Sequence, residues 1–125
     1  MKRAIMQLYV NGSFEAVELY LKAFNAVLGF NVMTPDNKAY YHAELNICGN
    51  ILAISEINST DNKIITGNTM QFAFHYGKEN ADKLKQAYDI LKDNGKIIFP
   101  LGPCDYSLLM TDIIDKFGVR WCLFE

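Results

Sequence analysis

The segment YYHAELNICG, residues 40–49, places His42, Glu44 and Asn46 at every second position, with Tyr41, Ala43, Leu45 and Ile47 between them. A period of two is the mark of a β-strand with one polar and one apolar face, and positions two apart lie about 7 Å apart at Cα. An imidazole and a carboxylate so placed suit a metal, a substrate, or each other as an ion pair that favours both charged forms. The plain alternative is a solvated face. Gln71, Ala73 and His75 repeat the alternation against Met70, Phe72, Phe74 and Tyr76, and Gln7 and Tyr9 share the parity of Ile5 in AIMQLYV. A tyrosine in such a row more often packs than reacts.

Other chemistries find less support. Ser13 and Ser107 stand in no motif with a base, and the chain has neither a glycine-rich phosphate loop nor a nucleophile elbow. Cys48, Cys104 and Cys122 are odd in number and widely spaced, without a C-x-x-C pair or zinc-site spacing. They read as reduced thiols of a cytoplasmic protein, with Cys122 a small buried one. Trp121, on the opposite parity from Cys122, reads as core, and Asp115 and Gly118 read as turn formers in DKFG.

The elements that must position these residues follow from pattern and punctuation. Half of the 125 residues are hydrophobic, enough for one globular domain over 1–125 without covalent staples. The net charge of −2, with Lys and Arg scattered singly, gives no footprint for nucleic acid or an anionic membrane. The N-terminal apolar run is too short and too soon interrupted for a signal peptide, and no run approaches a membrane span.

Residues 4–10 read as a strand, Ser13 as the N-cap of a helix with the stripe Phe14, Val17, Leu21, Phe24 and Leu28, and FNVM as a short strand closed by the turn Pro35-Asp36-Asn37. AYYHAELNI and ILAISEI form a hairpin about Gly49-Asn50. After a polar connector, 58–68, the order begins again: MQFAFHY as strand, Asn80 to Lys92 as a helix with Ala81, Leu84, Tyr88 and Leu91 on one stripe, then KIIFPL, YSLLMTDI and VRWCLFE as strands. A repeat of this length predicts two copies of one β-α-β-β-β unit, modules 1–57 and 69–125, in an α+β fold of curved sheets.

With NGSFEAVELYLKAF after the first strand, HAELNICGN at the hairpin and DKFGVRW at the end, this duplicated unit resembles the PhnB-like branch of the vicinal oxygen chelate superfamily. That superfamily spans glyoxalase I, extradiol dioxygenases and bleomycin or fosfomycin resistance proteins. The branch also carries a label linking it to 3-demethylubiquinone-9 3-methyltransferases, although the glycine-rich cofactor loop of a methyltransferase is missing. The resemblance implies two curved mixed sheets around a cavity, a homodimer, and in metal-using members a His or Gln with a Glu contributed by each module. It assigns those four positions here to Ile5, Glu44, Gln71 and Cys122. Of these only Glu44 is a strong oxygen donor, so the metal set is degenerate and no cofactor is expected. The leading expectation is a protein that binds a small organic ligand in a cavity lined by Gln7, Tyr9, His42, Glu44 and Gln71. The competing one is a divalent-metal-dependent lyase, isomerase or dioxygenase acting on vicinal oxygens.

Overall fold

The computed structural model describes residues 1–57 and 63–125, and the first five residues of the predicted connector, 58–62, lie outside the described residues. The chain forms two compact units, Met1–Ile64 and Ile65–Glu125. The first unit runs β1 (Met6–Val10), α1 (Ser13–Phe24), β2 (Val27–Met33), β3 (Tyr40–Ile47) and β4 (Asn50–Glu56). The second runs β5 (Phe72–His75), a turn of 3₁₀ helix at Lys78–Asn80, α2 (Ala81–Leu91), β6 (Lys96–Gly102), β7 (Met110–Ile114) and β8 (Arg120–Phe124). Each is the predicted β-α-β-β-β unit. No helix among the described residues is long and apolar enough to cross a membrane.

The sheets share one topology, β1-β4-β3-β2 and β5-β8-β7-β6. In each, the first strand pairs in parallel with the last, and the other pairings are antiparallel. The first-to-last pairing is what the helix permits, because a parallel neighbour requires a crossover too long for a hairpin. Each parallel ladder extends by one bond, in opposite senses: Ile57 N–H, after the last strand, donates to the Val10 carbonyl, and Tyr76 N–H, after the first strand, to that of Phe124, each at 2.8 Å.

Each helix packs on one sheet face. In the first unit, Ala16, Val17, Tyr20, Ala23 and Phe24 of α1 are buried, together with Val10, Ala43, Leu45, Leu52 and Ile54 from the strands. The predicted stripe holds in part: Val17 and Phe24 are buried, but Phe14 and Leu28 are exposed, Leu21 is half-buried, and Leu28 belongs to β2. Small residues explain the difference, since Ser13, Ala16 and Ala23 let the helix approach the sheet and share the contact with Val17, Phe24 and the fully buried Tyr20 ring. In the second unit Leu84, Ala87 and Leu91 are the buried positions of α2, so Ala87 replaces Ala81 and Tyr88 in the predicted stripe. Trp121 is fully buried between Phe72 and Phe74, and its indole N–H donates to Asp115 Oδ2 at 2.8 Å. Asp115 Oδ1 also accepts from Phe117 and Val119 N–H, so it builds the turn as predicted.

Two local expectations are corrected. Ser13 is not the N-cap of α1. Gly12 takes that place at φ 98°, and the Glu56 carboxylate of β4 accepts from Gly12 N–H and Ser13 N–H, each at 2.9 Å. A carboxylate meets both the orphan donors and the positive end of the helix, which a hydroxyl does less well. Ser13 Oγ instead accepts from Tyr40 N–H at 2.8 Å. The hairpin turns on Cys48-Gly49, because Ile47 pairs with Asn50. Both central residues have positive φ, 50° and 86°, as a two-residue hairpin of type I′ demands.

Candidate functional site

The face of the first sheet away from α1 carries Gln7, Tyr9, His42 and Glu44. Leu8 and Val10 of β1 are buried under the helix, which turns Gln7 and Tyr9 the other way. Parallel pairing sets Gln7 beside Ala53 and Tyr9 beside Ser55. Gln7 Nε2 donates to the Leu8 carbonyl at 2.9 Å and to Ser55 Oγ at 3.1 Å, fixing the amide on the sheet. On β3 the register slips between Val32 and Met33, whose partners are His42 and Tyr40. Tyr41 is the extra residue of this bulge, which releases it from strict alternation and leaves it 71% exposed.

These residues surround a cleft of about 1050 Å³ lying wholly within the first unit. Gln7, Tyr9, Tyr41 and His42 line one part; Ser55, Glu56, Ile57 and the turn of Thr34, Pro35, Asp36 and Ala39 line the rest. The turn holds itself together. Thr34 Oγ donates to Asp36 Oδ1 at 2.6 Å, Lys38 N–H donates to the same oxygen at 3.1 Å, and Thr34 N–H donates to the Ala39 carbonyl at 2.9 Å. The Thr34 hydroxyl first, and the Lys38 N–H after it, hold the Asp36 carboxyl below its ordinary value.

Glu44 sits beside the cleft, 8% exposed, with both oxygens engaged. Arg3 Nη2 donates to Oε1 at 2.9 Å and Nη1 to Oε2 at 3.2 Å, while His42 Nε2 lies 3.2 Å from Oε1. The Arg3 guanidinium first, and His42 second, keep the Glu44 carboxyl below its usual range. The pair anticipated from spacing is therefore a trio, and sequence reasoning missed its third member. The signal was available: Arg3 has the parity of Ile5 and Gln7.

Of the expected cavity residues, Gln7, Tyr9 and His42 line the cleft, and Glu44 supports it through His42. Gln71 lies in the second unit, exposed and just ahead of β5. Sequence reasoning had not assigned Ser55, Glu56 and the 34–39 turn to the site, because a parallel pairing between strands some forty residues apart leaves no local mark. On the corresponding face of the second unit, His75 stacks on Phe124 at 4.7 Å and Tyr106 meets Phe124 edge-on at 5.6 Å. Tyr106 Oη is 3.8 Å from the sulfur of Cys122, which is buried as expected, and Asp112 accepts two bonds from Arg120 at 3.0 and 2.7 Å.

Two of the four positions that the resemblance assigns to a metal, Ile5 and Glu44, do not suit a divalent ion. Glu44 is bound on both oxygens by a guanidinium, and Ile5 offers no donor. Among the described residues no group of three or more His, Cys, Asp or Glu is placed to hold a metal ion.

No protein-family model matches the chain, and no curated protein matches it. Solved structures do. Protein PA1353 from Pseudomonas aeruginosa superposes with TM-score 0.82 at 18% identity, over 99% of this chain and 97% of that one. The PhnB protein from Bacillus cereus gives 0.81 at 21% identity, over 98% of both chains. The fosfomycin resistance protein FosX from Listeria monocytogenes, complexed with Mn(II) and a dihydroxypropylphosphonic acid, gives 0.73 at 13% identity, over 99% of this chain and 92% of that one. The chain thus has the glyoxalase-like fold of the vicinal oxygen chelate proteins, as its sequence resemblance implied.

Proposed function

We propose that the protein binds a small organic molecule in the cleft of its first unit and works as a homodimer. The observation that carries the binding reading is the cleft itself. Its volume of about 1050 Å³ lies at the upper end of the range for small-molecule sites, and its lining mixes aromatic surface with a few fixed polar groups, the composition such sites share. Gln7 is tethered to Ser55 and His42 to Glu44, so two polar contacts are pre-set before a ligand arrives. FosX, on the same fold, is a resistance protein that holds a small phosphonic acid with manganese. This chain shares that fold.

The dimer reading is supported by the sheet edge. Val27, Leu28, Phe30, Val32 and Met33 of β2 are all exposed on an outermost strand. An apolar unpaired edge invites a second strand, and a second copy covers it symmetrically.

The deciding experiment is an amide-resolved NMR screen of purified protein against a general fragment library. Shifts clustered on Gln7, Tyr9, Tyr41 and His42 are expected. A library in which no compound moves these amides would sink the binding reading. Sedimentation at micromolar concentration is expected to show a dimer, and a monomer alone removes that part.

A further inference from the structure

We infer that the cleft takes an organic cation, an amine or quaternary ammonium group on a small organic body, recognised by the rings of Tyr9 and Tyr41 and the carboxylates of Asp36 and Glu56. This rests on the binding reading above and names its ligand class. Three observations support it.

The first is the charge of the lining. Among the described residues it holds two carboxylates, Asp36 and Glu56, and no Lys or Arg. Of the nearby cations, the Arg3 guanidinium is clamped on Glu44, and Lys38, which lies close enough to favour the charged form of Asp36, is outside the lining. His42 is the one lining side chain able to carry positive charge, and its Nε2 is turned to Glu44. The second is the helix terminus. The positive end of α1, which would otherwise draw an anion, is occupied by Glu56, whose two oxygens each accept one backbone N–H. A carboxylate has about four lone-pair sites, so Glu56 keeps acceptor capacity for an N–H or N⁺–CH group beside it.

The third is the aromatic surface. Tyr9 and Tyr41 are 67% and 71% exposed although they border a cleft, so their ring faces are open to a ligand. An ammonium group over such a face gains attraction from the ring quadrupole, and recognition of quaternary ammonium ligands by aromatic groups rests on this attraction. Carboxylates beside the rings add Coulomb attraction for the same charge. A neutral body of equal shape receives only the contact area, and an anion meets repulsion.

Choline, its uncharged carbon isostere dimethylbutanol, and the anion dimethylbutanoate separate these terms at nearly constant shape. Titrated at matched millimolar concentrations and read by amide NMR, choline is expected to shift Tyr9, Tyr41 and Asp36 and to bind about fivefold more tightly than dimethylbutanol, the advantage of an exposed cation–π contact. Tyr9→Leu, Tyr41→Leu and Asp36→Asn should each erode that preference. Because Glu56 caps α1, Glu56→Gln is read only if its spectrum stays folded, and Asp36→Asn carries the carboxylate arm alone if it does not. Equal or tighter cleft binding by dimethylbutanol or dimethylbutanoate overturns the cation assignment and leaves the binding reading standing. Silence of all three probes at these amides also overturns it, whereas failure of the binding reading would need silence across the whole fragment library.

Discussion

The two units are one backbone written twice, and the sheet face away from the helix is where they diverge. Gln7, Ala53 and Glu44 stand side by side across β1, β4 and β3, and Ala73, Cys122 and Asp112 do so across β5, β8 and β7. Each third-strand carboxylate is neutralised by an arginine, Glu44 by Arg3 from ahead of β1 and Asp112 by Arg120 from β8. One step along, Tyr9 and Ser55 of the first unit correspond to His75 and Phe124 of the second. Ser55 is small, so the first unit keeps open space before it. Phe124 instead receives the stacked His75 and the edge of Tyr106. The same register thus leaves room for a ligand in one unit and builds an aromatic cluster in the other, and the size of one side chain on the last strand separates the outcomes.

The largest difference to test lies on the opposite face. Trp121 and Leu52 are equivalent, each flanked by the neighbours of its cross-strand row, and both are fully buried. Trp121→Ala removes a ring packed between Phe72 and Phe74 and leaves Asp115 without the indole donor. A loss of about 3–5 kcal/mol is expected, against about 2–5 kcal/mol for Leu52→Ala, with Trp121→Ala the costlier of the two. Denaturant unfolding of both variants checks the order. A Leu52→Ala loss exceeding that of Trp121→Ala would show that the apparent equivalence misjudges where the core is most tightly packed.

Exchanging the residues that distinguish the cleft sharpens the comparison directly. Ser55→Phe places in the first unit the ring that fills the second, and it also removes the hydroxyl that receives Gln7 Nε2. It is expected to abolish the shifts of Tyr9 and Tyr41 with every cleft-binding fragment, at an overpacking cost of about 1–3 kcal/mol. Phe124→Ser should do the reverse and open a new site in the second unit. If Ser55→Phe still binds the same fragments, cleft volume is not what separates the units.

Much of this is legible in the sequence. The alternation of His42, Glu44 and Asn46 located a strand and its polar face, the recurrence of strand, helix and three strands gave the duplicated unit, and the parity of Trp121 against Cys122 placed one in the core and the other on the far face. What failed has a common physical cause. The buried face of α1 includes, beside the expected Val17 and Phe24, Tyr20 and three small residues, which a search for large apolar side chains passes over. The cap of α1 comes from Glu56, and the clamp on Glu44 comes from Arg3; both are contacts across more than forty positions. The bulge that exposes Tyr41 depends on the register of β2, which is invisible in β3 alone.

The two carboxylate–arginine pairs differ in the exposure of the arginine, 56% for the Arg3 side chain and 29% for Arg120. Arg3 therefore contributes as a largely solvated partner, worth about 0–1 kcal/mol. Its effect on protonation is still readable. Glu44 is held below its ordinary value of 4.5, so the stability it adds is fully present above that pH and is lost as pH falls through the lower, folded value. Arg3→Ala removes the leading cause and leaves His42 as the second. The Glu44 carboxyl should then titrate at higher pH, and acid unfolding should begin earlier. Carboxyl-resolved NMR titration makes the measurement, and an unmoved Glu44 would mean that His42 alone sets its charge.

The smallest expected effect concerns Tyr106, which has no counterpart in the cleft. Its hydroxyl is pushed up to about 12 from an ordinary 10.0, first by the hydrogen bond with Cys122, then by partial burial and by the charge of Cys122 once ionised. The chemistry runs in sequence: thiols as a class ionise before phenols, and a thiolate both accepts the phenol proton in a hydrogen bond and repels the phenolate that would replace it. The sign follows. A folded value above the unfolded one adds stability that is complete below pH 10.0 and is lost as pH rises toward about 12. The Tyr106 ring is 64% exposed, so solvent screens the interaction and its weight in global stability is slight. Cys122→Ala removes the leading cause while the stack of His75 on Phe124 stays in place. Ultraviolet absorbance of tyrosinate against pH should then show one tyrosine titrating earlier, toward 10.0, with little change in melting temperature. An unaltered titration would mean that the packing of Tyr106 on Phe124, rather than the thiol, sets its hydroxyl apart, and the second unit would then differ from the first by aromatic packing alone.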